Sequence, residues 1–180
     1  MNILLIAGEV SGDLYAATLA TYLKKQDPNI RIVAVGGDKL KAVCDDMLLE
    51  TAHQHSVGIR SFLFSFLLKK QLKRVLNKCL KGQEIDRAII VDFQHFNEYI
   101  ATFLQRHNVI IDTFVTPNFW MWKDRSQSLR LSQYSRNIVT IFKKEYDYYK
   151  QFADNVVYFG HPLTDHVFKS RFITAQSHKK

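Results

Sequence analysis

Short aliphatic runs of strand length recur along the chain and alternate with stretches whose apolar residues repeat at helical spacing, the pattern of successive βαβ units. Strands are expected at 2–7 (NILLIA), 30–35 (IRIVAV), 87–92 (RAIIVD), 109–115 (VIIDTFV), 137–142 (NIVTIF) and 156–159 (VVYF). Helices are expected at 13–25, with Leu14, Ala17, Leu19 and Leu23 inward, and at 38–43, 61–80, 96–106, 127–134 and 143–152. Continuous Ile and Val runs mean strands buried on both faces, as in a parallel sheet covered by helices above and below. The expected fold class is therefore α/β, a Rossmann-like doubly wound parallel sheet. Such sheets bind ligands beyond the carboxyl ends of their strands, so the strand exits are where chemistry is sought.

With 180 residues, 47% of them hydrophobic and 13% aromatic, the chain has length and composition for one packed domain, expected over 1–165 with a tail at 166–180. Seven glycines and three prolines leave few linkers, and no internal repeat or low-complexity segment interrupts the pattern. Cys44 and Cys79 lack metal-like spacing and read as buried small hydrophobes in a reducing compartment. The start, MNILLIAGEVSGD, has no positive n-region and its apolar run stops after Ala7, so neither a signal peptide nor a membrane span is expected. A formal charge of +8 favours an anionic partner without choosing among phosphate, nucleic acid and membrane surface.

The first strand exits into Gly8-Glu9-Val10-Ser11-Gly12-Asp13, where glycines permit a sharp turn and close approach of a ligand while a helix N-terminus offers N–H groups to an anion. The segment matches neither G-x-G-x-x-G nor a P-loop, and Ser11 or Asp13 serves equally as a helix cap. A weaker glycine pair, Gly36-Gly37, follows the second strand. The strand at 87–92 ends on Asp92, a carboxylate at the sheet edge suited to taking a proton from a sugar hydroxyl or to bracing its loop, and Asn97 follows as a hydrogen-bonding side chain. Pro117, Trp120, Trp122, Lys123 and Arg125 crowd the next exit, where indole faces suit sugar rings and acyl chains or plug the loop. His161, after the last strand, is placed to touch a phosphate or sugar or to serve structure.

Residues 61–78 (SFLFSFLLKKQLKRVLNK) join the apolar Phe62, Phe64, Phe66, Leu67 and Leu68 to the cations Lys69, Lys70, Lys73 and Arg74. Such a helix lies in a membrane interface, aromatics toward the acyl region and cations on anionic headgroups; the plainer reading is a crossover helix with a solvated basic edge.

Taken together, AGEVSGD (7–13), IVDFQHFN (90–97), PNFWMWKDR (117–125), FKKEYDYY (142–149) and FGHPLTD (159–165) occur in the order and at the spacing of lipid-A-disaccharide synthases, which this chain resembles over nearly its whole length. That family of glycosyltransferases has two Rossmann-like domains and joins UDP-diacylglucosamine to diacylglucosamine 1-phosphate with release of UDP. The resemblance implies the N-terminal, acceptor-binding half of such a fold. It implies that Asp92 is the catalytic base, that the Ser11 loop lines the acceptor side, that residues 61–78 meet the membrane and the acyl chains, and that no metal or cofactor takes part. Gln94 and His95 stand where the family usually has Pro and Asp, and Lys143 and Lys144 where it has Pro-Phe before the glutamate.

The function expected is inverting transfer of diacylglucosamine in lipid A assembly, at the cytoplasmic face of the inner membrane, with Asp92 catalytic. The substrate is expected against Gly8, Glu9, Ser11, Gly12, Asp13, Asn97, Pro117, Trp120, Trp122, Arg125 and His161. Since the sequence stops where the family's UDP-binding domain begins, the chain is expected to be inactive alone, whether as a fragment, as a degenerate copy or as half of a split enzyme completed by a second chain. The alternatives are a non-catalytic lipid-binding domain and another nucleotide-sugar enzyme such as an epimerase. No RNA-binding pattern interleaves the basic residues with aromatics, which argues against a nucleic-acid partner.

Overall fold

A computed structural model describes residues 1–51, 60–93, 96–162 and 164, and of residues 60–65 the helical backbone alone. In chain order the elements are β1 (Asn2–Ala7), α1 (Val10–Gln26), β2 (Arg31–Gly36), α2 (Asp38–Lys41), β3 (Asp46–Glu50), α3 (Arg60–Gly82), β4 (Arg87–Val91), α4 (Asn97–Gln105), β5 (Ile110–Phe114), α5 (Phe119–Trp122), α6 (Arg125–Tyr134), β6 (Asn137–Thr140), α7 (Lys143–Tyr149) and β7 (Val156–Tyr158). The strands form one seven-stranded sheet in the order β3-β2-β1-β4-β5-β6-β7, every pairing parallel.

Successive side chains of a strand point to opposite faces, and the strands use both. From β1, Leu4 and Ile6 join Val33, Val35 and Ile90 under Leu68, Leu72 and Leu76 of α3 and Ile100 and Leu104 of α4. The alternate residues Ile3 and Leu5 join Ile32, Ala34 and Ile89 under Tyr15, Ala16, Ala17 and Ala20 of α1 and Leu40 of α2. The expected doubly wound α/β sheet is what the chain forms. Beyond β4 the second face has no helix among the described residues, and a groove of about 720 Å³ opens there over Phe114, Val139 and Val157.

Several expectations need correction. Strand β3 was not anticipated, because its apolar stretch is only Met47-Leu48-Leu49 between carboxylates at an edge of the sheet. Helix α1 starts at Val10 rather than Asp13, so Ser11, Gly12 and Asp13 form its first turn and neither polar side chain caps it. Its buried face is carried by Tyr15, Ala16, Ala17 and Ala20, with Leu14, Leu19 and Leu23 half-buried. Leu68, expected on a membrane-facing surface, is 4% exposed and packs on the sheet. It shares the inward stripe of Leu72 and Leu76, four residues per step. Phe66 and Leu67 are exposed, as are Lys69, Lys70, Lys73 and Arg74. The side chains of Phe62 and Phe64, the residues Gln94 and His95, and the tail at 166–180 lie outside the described residues. Cys79 is buried, whereas Cys44 is only half-buried.

Candidate functional site

Neighbouring strands β1 and β4 send their following helices to opposite faces, so the chain parts at their carboxyl ends and leaves the crevice where such sheets hold ligands. Two glycines shape it. A Cβ on Gly8 would overlap Cδ2 of Phe93, so the Phe93 ring occupies the space any side chain would need. A Cβ on Gly12 would lie 3.0 Å from the Val91 carbonyl oxygen, so the first turn of α1 rests on the end of β4. That approach brings Ser11 to Asp92, and the Ser11 hydroxyl donates to Oδ2 of Asp92 at 3.3 Å.

Asp92 has a left-handed backbone (φ 39) and its N–H donates to the Val115 carbonyl at 3.2 Å. Burial pushes its carboxyl up from the ordinary 3.8 to about 6; the Ser11 hydrogen bond opposes that rise, while the charges of Glu9 and Glu145 add to it. A carboxylate with a pKa near 6 is ionised at neutral pH yet basic enough to accept a proton in a transition state.

The cavity at Asp92 holds about 150 Å³ and is lined by Ser11, Tyr15, Val115, Thr116, Asn118, Trp120, Ile141, Phe142, Glu145 and His161. Its back wall is Glu145, 1% exposed, whose Oε1 accepts from the Thr116 N–H at 3.1 Å and from the Thr116 hydroxyl, and whose Oε2 accepts from the N–H groups of Ile141 at 2.9 Å and Phe142 at 3.1 Å. Those bonds tie the exits of β5 and β6 together. Burial pushes the Glu145 carboxyl up, and the four hydrogen bonds pull against it. On the other wall the Tyr15 hydroxyl is 3.3 Å from Nε2 of His161, whose ring packs 5.3 Å from Phe142.

Thus Asp92, Ser11, Trp120 and His161 share one cavity, and Gly8 and Gly12 are the close-approach positions beside it. Glu9 stands at the N-cap of α1, near enough to raise the Asp92 pKa. Other expected residues do not line this cavity. Asp13 is buried and turned to α2, accepting from the N–H groups of Gly37 at 2.7 Å, Lys39 at 3.0 Å and Leu40 at 3.1 Å. Trp122 is 78% exposed, and Arg125 lies over the Phe152 ring at 5.5 Å. Pro117 is buried in the loop, and Asn97 is buried with no hydrogen-bond partner for its side-chain amide among the described residues. Lys143 and Lys144 face solvent, Lys143 paired with Asp147. Sequence reasoning missed Tyr15, Thr116 and Glu145; the glutamate's position five residues after the end of β6 was the available signal.

The family model described as lipid-A-disaccharide synthetase matches residues 3–180. The chain belongs to this family. A lipid-A-disaccharide synthase of Geobacter sulfurreducens is 26% identical over 166 residues, covering 92% of this chain and 43% of the relative. One from Synechocystis sp. is 28% identical over 176 residues, covering 94% and 45%. The chain therefore spans a little under half the length of these curated relatives. Among solved structures, the UDP-GlcNAc 2-epimerase of Neisseria meningitidis bound to UDP-GlcNAc superposes with a TM-score of 0.64 at 12% identity, covering 99% of this chain and 53% of that one. Arabidopsis thaliana UGT89C1 superposes with a TM-score of 0.56 at 15% identity, covering 90% and 50%. At such identities the two structures share the fold with this member of the synthetase family.

Proposed function

We propose that the chain is the acceptor-binding half of a lipid-A-disaccharide synthase, transferring diacylglucosamine from UDP-diacylglucosamine to diacylglucosamine 1-phosphate with inversion. The observation that carries this reading is Asp92. It stands at the switch point of the sheet, in a cavity with Trp120 and His161, with its pKa raised to about 6. In the reaction an acceptor hydroxyl attacks the anomeric carbon of the donor. The new C–O bond forms as the bond from that carbon to UDP breaks; UDP leaves with the electron pair and Asp92 takes the hydroxyl proton. Ser11 holds the carboxylate oriented, and the Trp120 face packs on the sugar.

The exposed Phe66 and Leu67, beside four cations on α3, support docking on the cytoplasmic face of the inner membrane as a peripheral protein, where both lipid substrates reside. Among the described residues no helix is long and apolar enough to cross a membrane. The donor site belongs to the half of the relatives that this sequence does not cover, and a chain or domain supplying it completes the cleft. The reading is tested by diacylglucosamine 1-phosphate binding. The chain alone should bind this acceptor in detergent, with resonances of Ser11, Tyr15 and Trp120 shifting, and should not bind UDP; the reverse preference would overturn the assignment of the acceptor half.

A further inference from the structure

The facing sides of α3 and α4 enclose a groove of about 430 Å³, separate from the Asp92 cavity, lined by Lys69 and Lys73 on one wall and by Glu98, Tyr99, Thr102, Phe103 and Arg106 on the other. Both walls follow helical spacing, so each set of side chains converges on one channel. The Tyr99 hydroxyl donates to the Lys69 carbonyl at 3.2 Å, and Lys69 Nζ lies 5.7 Å from the Tyr99 ring centroid, which holds the walls in place. The groove's single carboxylate, Glu98, is engaged by Arg130 at 2.9 Å. Among the described residues no salt bridge involves Lys69, Lys73 or Arg106. Three cations thus face one channel whose only anion among the described residues is already paired.

Phe66, 62% exposed, precedes Lys69 by three residues and Lys73 by seven, so all three lie on one stripe of α3. A helix rises about 1.5 Å per residue, which puts Lys69 and Lys73 roughly 5 and 10 Å below Phe66 along the axis. With the N-terminal end of α3 turned toward the bilayer, this spacing sets an aromatic at the acyl boundary and cations one and two turns behind it at headgroup level.

We propose that this groove seats the phosphate of an anionic membrane lipid, held by Lys69 and Lys73 of α3 and Arg106 at the end of α4. The Thr102 hydroxyl donates to the same phosphate, while Phe66, outside the groove, enters the acyl region of the surrounding leaflet and not the seated lipid. The seat rests on the membrane reading above and gives it a defined ligand: a lipid phosphate bound between two helices rather than a diffuse attraction of basic residues to a charged surface.

The probe is dihexanoyl phosphatidate, a short-chain lipid used below its micelle concentration so that no bilayer is present, titrated into the 180-residue chain and followed by NMR and calorimetry. Saturable shifts at Tyr99, Thr102 and Arg106 are expected. Replacing Lys69, Lys73 and Arg106 together by Gln should weaken binding about 100-fold, whereas the charge-matched replacement of Lys70, Arg74 and Lys78 by Gln should weaken it about threefold. Equal losses in the two triple variants would mean diffuse electrostatics and overturn the seat. Inorganic phosphate binding as tightly as the lipid would overturn the lipid as ligand. Phe66→Ser with Leu67→Ser should retain the short-chain lipid shifts while losing vesicles of phosphatidylcholine with phosphatidylglycerol. Retained vesicle binding in that variant would remove the membrane reading, while the lipid titration still decides the seat.

Discussion

Asp92 and Val115 meet across the ends of β4 and β5, the Asp92 N–H donating to the Val115 carbonyl at 3.2 Å, and both residues hold left-handed backbone (φ 39 and 61). For a β-branched residue that conformation is a true outlier, with a cost of about 1–3 kcal/mol, and such costs gather at functional sites. The double turn of the backbone directs Asp92 into the cavity instead of letting the strand continue. Asparagine tolerates this conformation better than most residues and retains an oxygen for Ser11, which makes Asp92→Asn the cleanest probe of the carboxylate.

The first consequence is for stability. Below pH 3.8 the Asp92 carboxyl is neutral in both folded and unfolded chains; between 3.8 and about 6 the unfolded chain loses its proton while the folded chain keeps it. Ionisation of the buried carboxyl therefore lowers stability as pH rises through that window, and the loss is complete above it. Asp92→Asn should accordingly raise the denaturation midpoint at neutral pH, with the gain shrinking to nothing as pH falls to 3.8. A gain independent of pH would show that the carboxylate is not desolvated.

Asp13 carries a different load. Its carboxylate satisfies three N–H groups at the start of α2, so Asp13→Ala strands buried donors and should destabilise the chain by about 3 kcal/mol in urea unfolding. Acceptor affinity, measured where the variant is still folded, should hardly change. A large loss of affinity in folded protein would return Asp13 to the binding site.

Gly8 and Phe93 should be coupled. Gly8→Ala drives a methyl into the Phe93 ring and should cost about 1–3 kcal/mol and disturb the Asp92 loop. In a Phe93→Ala background the same methyl enters vacated space, so a double-mutant cycle should show the two changes compensating in part. Strict additivity would mean that the two do not share that space.

On α3, adjacent positions should behave oppositely. Phe66→Ser with Leu67→Ser removes exposed apolar surface and should leave the unfolding midpoint nearly unchanged while reducing liposome co-sedimentation. Leu68→Ser buries a hydroxyl and opens a cavity against the sheet, and should destabilise by about 2–5 kcal/mol. Equal co-sedimentation of wild type and the exposed-residue variant would reduce α3 to a crossover helix with a solvated edge.

The sheet was legible because strands buried on both faces are written as uninterrupted Ile and Val runs, and only β3, with three apolar residues at an edge, lacked that signature. Local reading failed where a polar residue serves a distant partner. Asp13 looks like the cap of its own helix, yet it holds residues 37–40. Leu68 looks continuous with the exposed Phe66 and Leu67, yet the 3.6-residue period turns it inward. At the site, the residues at strand exits were visible as candidates, Asp92, Ser11, Trp120 and His161 among them. Tyr15 and Glu145 were not, because each lies inside a helix and reaches the cavity only when the sheet brings the exits of β1, β4, β5, β6 and β7 together.

The central claim is that Asp92 is the base in sugar transfer, and the direct measurement is the pH dependence of transfer to labelled diacylglucosamine 1-phosphate with the donor half supplied as the C-terminal half of the Geobacter sulfurreducens relative fused after residue 165. In this chimera kcat/KM should rise with pH through an apparent pKa near 6, and Asp92→Asn should lower it by about 10²–10⁴-fold and abolish that rise. An Asp92→Asn protein that transfers sugar at the wild-type rate with the same pH profile would contradict the account.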